Sequence, residues 1–473
     1  MGSGKIIFLL LLFPVFGFAQ KQVEENEWSC KTQNQRIQSL SREEDIRAEN
    51  SRSDSIDILD YSIHLNITDF TNKKISGFCT VTFKSKLDHI PQIYLDLLKL
   101  NIDSITQNGQ QLSYSYTDSV LLIVNLSDEL NTGDSASVNV FYHGKPQTDA
   151  SGWGGFYFSG DYAYNLGVGF AADPHTYGRV WFPCFDNFVE RSSYHFSITT
   201  VNTKMALCNG ELTSSVDNGD GTKTWNWQMV QTIPSYLACV AVGNYTPAYY
   251  NYYGIEDTIP VQLGAVSADT TKMKSSFIHL ADALNAFETS FGPYRWNKVG
   301  YSLVPFSSGA MEHATNIAYP QFMANGTLSW ENFYAHELSH HWFGDLVTCE
   351  TAADMWLNEG WASYCERIFY EHVYGKEKYD AEVAANHAYV LHFLHTPQGD
   401  GEYFPVSPVS QEFTYGSTVY DKGADVVHTL RGYMGDSLFF HCVSEYINNH
   451  EFSNATSYDL RNELSACSGL DLT

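Results

Sequence analysis

From Ser55 onward the chain alternates apolar and polar residues in strand-length runs: IDILDYSIHLNITDF, ISGFCTVTFKS, SVLLIVNLS and SASVNVFYHG. A period of two places every other side chain on one face, the pattern of a half-buried strand. Turn signals separate the runs, among them Asn108-Gly109 and DNGDG at 217–221. YHFSITTV, TKTWNWQMV and YLACVAVGNY carry the same texture to about residue 247. The pattern predicts an all-β domain over residues 55–250.

The period then lengthens. In KMKSSFIHLADALNAFETSFG, Met273, Phe277, Leu280, Leu284, Phe287 and Phe291 recur at steps of four and three. That spacing predicts one amphipathic helix, stopped by Gly292 and Pro293. Helical character returns around FYAHELSHHWFGDL, around Glu359 and in GADVVHTLRGYMG. NATSYDLRNELSAC predicts a helix capped at Thr456 or Ser457. Residues 251–473 thus form a second, mainly helical domain, and the fold class is α+β.

The first residues, MGSGKIIFLLLLFPVFGFAQ, combine one Lys, an apolar run and Gly17-x-Ala19. This predicts a signal peptide over residues 1–19, cut near Ala19, and a secreted or periplasmic protein. A polar linker is expected over 20–54. No later run is long and apolar enough to span a bilayer. The formal charge of −27 disfavours nucleic acid and anionic membranes as partners. Nine cysteines form no C-x-x-C pair. In an oxidising compartment Cys208 with Cys239, or Cys349 with Cys365, are candidate disulfides.

The chemistry begins at HELSH. His336 and His340 lie one helical turn apart and can point two imidazoles at one ion. Glu337 falls beside the first of them, where it can take a proton from an attacking water. A catalytic zinc takes three protein ligands, and two His with one Glu is a known set. Glu359, in WLNEG, is the candidate third ligand. Upstream, SSGAMEHA carries Gly309 and Glu312 just before the histidine helix. An edge strand there would pair with an extended peptide, and Glu312 would meet its cationic N-terminus. By residue type alone an exposed loop carboxylate is the better reading of Glu312. Downstream, TYGSTVYDKGADVV offers Tyr415 and Tyr420, whose hydroxyls would serve as oxyanion donors, though by residue type alone a half-buried core tyrosine is the better reading of each.

Taken together, GAMEH, HELSHHWFGDLVT, WLNEGWASY and YDKGA occur in the order of the aminopeptidase N family of zinc metallopeptidases. WFPCFD and YLACVAVGNY are similar to that family's N-terminal markers. The resemblance covers about residues 55–473, including the eighteen residues between His340 and Glu359. It implies a β-sandwich or saddle domain followed by a thermolysin-like catalytic domain. It implies one zinc per chain on His336, His340 and Glu359, with Glu337 as general base and Tyr420 stabilising the oxyanion. Gly309, Ala310 and Met311 would bind substrate backbone, Glu312 the free α-amino group, and Tyr415 would line the site. Peptides would be the substrates. The family continues into helical C-terminal domains, which are absent or truncated in the 473 residues read.

The chain departs from that pattern in two places. His313 stands where the family has Asn. Protonated near pH 6.5, it would repel a substrate amine. The family also carries a Gln or Glu ten to twelve residues before the Cys of F-P-C, as a second amine anchor. Here the stretch is AADPH, Ala171 to His175, and Asp173 is the candidate substitute. These departures keep open a secreted endopeptidase with weakened amine recognition. A non-enzymatic binding protein on an inert metallopeptidase fold is the rival from another class. The retained His336, Glu337, His340, Glu359 and Tyr420 argue against it.

Overall fold

The computed structural model describes residues 51–473. The expected signal peptide, its cleavage site and the linker up to residue 50 lie outside the described residues.

The first half is built on an eight-stranded sheet. Its centre is the strand Ile56–Asp69, parallel to Arg191–Val201 on one side and antiparallel to Lys74–Ser85 on the other. The apolar set along this strand changes phase. Ile56 and Ile58 are buried, then Tyr61, Ile63, Leu65 and Ile67. An irregularity in the register between Ile58 and Asp60 absorbs the shift. The extra residue keeps one apolar face on the core, where a plain one-residue slip would have turned it to water.

The first half holds a second, smaller sheet. It orders Met205–Cys208, Val240–Gly243, Tyr162–Gly169 and Gly154–Ser159. Val240–Gly243 is buried throughout. The second half opens with another four-stranded sheet: Ala248–Tyr253, Thr258–Gly264, Val299–Val304 and the edge strand Ile317–Pro320.

Helices follow. The single helix expected at 273–291 is two, α1 (Thr270–Ser276) and α2 (Leu280–Phe291). All six apolar positions of the pattern are buried. Burial, which the pattern encodes, survives the break at Phe277, which the pattern does not encode. α2 stops at Gly292, whose φ of +103° suits a residue without Cβ. Then come α3 (Glu331–Ser339), α4 (Glu359–Tyr374), α5 (Lys376–His392), α6 (Gly423–Met434), α7 (Asp436–His450) and α8 (Ser457–Ser468). α8 starts as expected: Thr456 and Asp459 form a reciprocal capping box.

Among the described residues Cys442 and Cys467 form a disulfide, tying α7 to α8. The pairs considered from sequence do not form. Cys208, Cys239, Cys349 and Cys365 are buried free thiols. Sheet register sets Cys208 opposite Val240. The Cys239 thiol instead meets Asn316, whose Nδ2 donates to it at 3.3 Å.

Candidate active site

α3 buries Tyr334, Ala335 and Leu338 and aims its last turn at α4. His340 is its C-cap, still in right-handed helical geometry. The two imidazoles therefore sit one turn apart, ring centroids 5.0 Å from each other. α4 begins at Glu359. Its Oε2 lies 3.2 Å from His336 Nε2 and 3.3 Å from His340 Nε2. The ligand atoms of His336, His340 and Glu359 fall within 4.8 Å of one another.

Each ring is oriented through its other nitrogen. His336 Nδ1 faces Glu366 Oε1 at 3.0 Å, and His340 Nδ1 donates to the Phe343 carbonyl at 2.9 Å. This leaves both Nε2 atoms for a shared partner, the usual outer support of metal-binding histidines. Glu366 stands two turns along α4 from Glu359, on the same face, and accepts from Asn332 Nδ2 at 3.1 Å. The sequence reading missed it. The signal was the i, i+7 spacing of the two glutamates.

Electrostatics fit a cation here. Burial opposes charge on His336, but hydrogen bonds to Glu359 and Glu366 outweigh it and raise the imidazole to about 10. Burial likewise opposes charge on Glu359, but His340 and His336 outweigh it and hold the carboxyl at about 2. The three groups demand positive charge where they meet. A divalent ion would supply it in place of protons, and two imidazoles with a carboxylate suit zinc.

Two more carboxyls face the same spot. Burial pushes Glu337 up to about 8 and Glu312 up to about 7. Ligand atoms of Glu312, Glu337 and His340 also lie within 4.8 Å of one another. Glu312 is thus a buried site residue, 8% exposed, and the exposed-loop reading fails. It is positioned by the preceding loop. Gly309 turns with φ +71°, and Trp153 Nε1 donates to the Ser308 carbonyl at 2.7 Å. Ala310 lines the cavity beside Glu312. Met311 does not: its N–H and carbonyl both pair with Ala318, at 3.0 Å each, and its side chain is buried in the core. The expected edge strand at this loop is only that one bridge. The Met311 main chain is thus taken up within the protein.

Tyr420 lies in a π-helical turn, Thr418–Lys422, that leads into α6. Such turns often re-aim a functional side chain. Its ring runs parallel to that of His336, centroids 6.1 Å apart. Tyr415 also lines the cavity and stacks on Phe170 at 4.6 Å.

Both departures read from the sequence fall elsewhere. His313 is fully buried and outside the cavity, and burial pushes its imidazole down to about 3. Its Nε2 accepts from Asn165 Nδ2 at 3.4 Å, a contact toward the first half. The expected charge near neutral pH does not arise. Asp173 lines a separate cavity of about 550 Å³ with Arg52 and Arg179, so it is no second anchor. The first half instead gives the metal-facing cavity Trp153, Val168 and Phe170. Sequence reading singled out none of the three.

Comparison with known proteins bears on the fold and the family. Residues 58–237 match the model of the peptidase M1 N-terminal domain, and 276–473 that of the peptidase family M1 domain. Probable aminopeptidase 1 of Sulfurisphaera tokodaii is 24% identical over 425 residues, covering 86% of this chain and 51% of that protein. The human thyrotropin-releasing hormone-degrading ectoenzyme is 26% identical over 375 residues, covering 74% of this chain and 34% of its own length. The chain thus spans about half or less of these relatives. An M1 zinc metallopeptidase from Deinococcus radiodurans superposes with a TM-score of 0.78 at 23% identity, over 87% of this chain and 90% of that one. A variant of it bound to a Tyr-Ser-Ala substrate covers 88% of this chain and 92% of its own, also at 23% identity and a TM-score of 0.78. With a β half matching one model and a helical half that carries the His336–His340–Glu359 cluster matching the other, the chain belongs to peptidase family M1.

Proposed function

We propose that the chain is a zinc-dependent aminopeptidase, holding one zinc ion on His336, His340 and Glu359 and releasing N-terminal residues from peptides. The observation that carries this reading is the place of Glu312. A buried carboxyl within 4.8 Å of Glu337 and His340 is where a chain end carrying an ammonium group would dock. An endopeptidase has no use for a buried acid there, because mid-chain peptide offers no cation to offset its desolvation. Relatives named as aminopeptidases support the same reading.

When bound, zinc supplies a Lewis acid that activates water and polarises the scissile carbonyl. The rest is done by side chains. Glu337 accepts the proton of the attacking water and returns it to the leaving amine. Its buried setting, which raises the carboxyl to about 8, makes it a proton carrier once a cation balances the site. Tyr420 donates to the carbonyl oxygen as negative charge develops there. Glu366 and the Phe343 carbonyl keep the histidine rings in their working tautomers.

The test is metal analysis together with rates on an alanyl chromogenic amide and its N-acetylated twin. One zinc per chain and strong preference for the free amine are expected. Glu337→Gln should keep the metal and lose roughly a hundredfold or more in turnover. Faster cleavage of the acetylated amide would replace the reading with an endopeptidase.

A further inference from the structure

Fixing the two ends of the first residue leaves one direction for its side chain. With the ammonium group on Glu312 and the carbonyl toward His336, His340 and Glu359, the remaining wall is Trp153, Val168, Phe170, Ala310 and Tyr415. None of these carries a charge. The one indole N–H among them is already given to the Ser308 carbonyl at 2.7 Å.

The aromatic part of this wall is a continuous stack. Trp153 lies on Phe170 with centroids 4.5 Å apart and planes 3° from parallel, and Phe170 lies on Tyr415 at 4.6 Å and 24°. Trp153 is braced edge-on by Phe306 at 5.9 Å. The stack also bridges the two halves, and hydrogen bonds lock it at one end. Gln411 Nε2 donates to the Ala172 carbonyl at 3.3 Å, and His175 Nε2 lies 3.3 Å from the Gln411 carbonyl. A ring held on both faces, with its neighbours tied to separate domains, moves only by breaking several contacts at once. The cavity that this wall shares with Glu312, Glu337 and the His336–His340–Glu359 cluster totals about 20 Å³, room for about one water molecule, so no part of it is set aside for a long side chain.

Resting on the aminopeptidase reading, we propose that Phe170, clamped between Trp153 and Tyr415, restricts this site to peptides that begin with a small uncharged residue, glycine or alanine. A methyl group needs little displacement of the wall. A leucyl or phenylalanyl side chain needs the stack to part. A lysyl or glutamyl side chain would lose its hydration with no opposite charge among these wall residues in return.

The test is a panel of glycyl, alanyl, leucyl, phenylalanyl, lysyl and glutamyl amides on the zinc-loaded chain and on Phe170→Ala. For the unmodified chain, kcat/KM on alanyl amide should exceed that on leucyl or phenylalanyl amide by about a hundredfold, toward the upper end of what the misfit of one methylene is worth. In Phe170→Ala the leucyl-to-alanyl ratio should rise about tenfold or more. Equal or better cleavage of leucyl or phenylalanyl amides by the unmodified chain overturns the wall and leaves the aminopeptidase reading standing. So does a Phe170→Ala protein that slows every amide in proportion. If no free aminoacyl amide is cleaved at all, the aminopeptidase reading falls, and the side-chain preference with it. As a readout without turnover, alaninamide should raise the thermal midpoint of the zinc-loaded chain more than leucinamide does. The reverse order overturns the proposal.

Discussion

Gly360 and Gly423 touch backbone to backbone: a Cβ on either would stand 2.9 Å from the Cα of the other. This is where α4 crosses α6. One residue before Gly360 is Glu359, and three before Gly423 is Tyr420. The close crossing therefore brings a metal-facing carboxylate and a site tyrosine into one cavity. Gly423→Ala should push the helices apart. We expect a loss of about 1–3 kcal/mol in stability and weaker zinc binding, read by thermal denaturation and metal titration. An alanine variant as stable and as metal-retentive as the parent would show that the crossing does not set the site.

Glu366 orients His336 without reaching the metal position itself. Glu366→Gln keeps the shape but weakens the acceptor at Nδ1. Zinc affinity should fall by about 10- to 100-fold, the usual cost of losing such outer support. Competition with a chelator measures it. Unchanged affinity would mean that the orientation of His336 does not depend on this bond.

Glu312 is expected to recognise the chain end. Glu312→Ala should lower kcat/KM on a free aminoacyl amide by about a hundredfold, since a desolvated charge pair loses a few kcal/mol when one member is removed. Activity on the acetylated amide should change little. An equal drop on both substrates would assign Glu312 to the chemical step and not to the amine.

His313 is expected to act on stability and not on the pH profile of catalysis. Burial holds its folded-state pKa at about 3, below the ordinary 6.5. The folded chain therefore refuses a proton that the unfolded chain takes. The resulting stability is complete above pH 6.5 and is lost progressively as pH falls from there toward 3, by about 1.4 kcal/mol per pH unit for this one group. His313→Asn should flatten denaturation midpoints across that window and leave the pH dependence of turnover above pH 5.5 unchanged. A shift in the turnover profile would return His313 to the substrate site.

Much of this protein was legible before any coordinates. Alternation over strand lengths marked the β half, because a sheet with one wet face must repeat every two residues. The i, i+4 pair at His336 and His340 followed from helical pitch alone. The capped start at Thr456 or Ser457 announced its helix, a signal that is also local. What stayed hidden was every fact that depends on long-range approach. Nothing near Phe170 says that it faces Tyr415, 245 residues away, nor that Asp173 turns into another cavity. His313 read as a charge beside the substrate because its neighbour in sequence is Glu312. Burial turned it the other way and kept it neutral. Short-range periodicity is written in the chain because it follows from backbone geometry. Which faces meet, and so which wall closes the cavity and which cysteines pair, is decided only when distant segments compete for the same core.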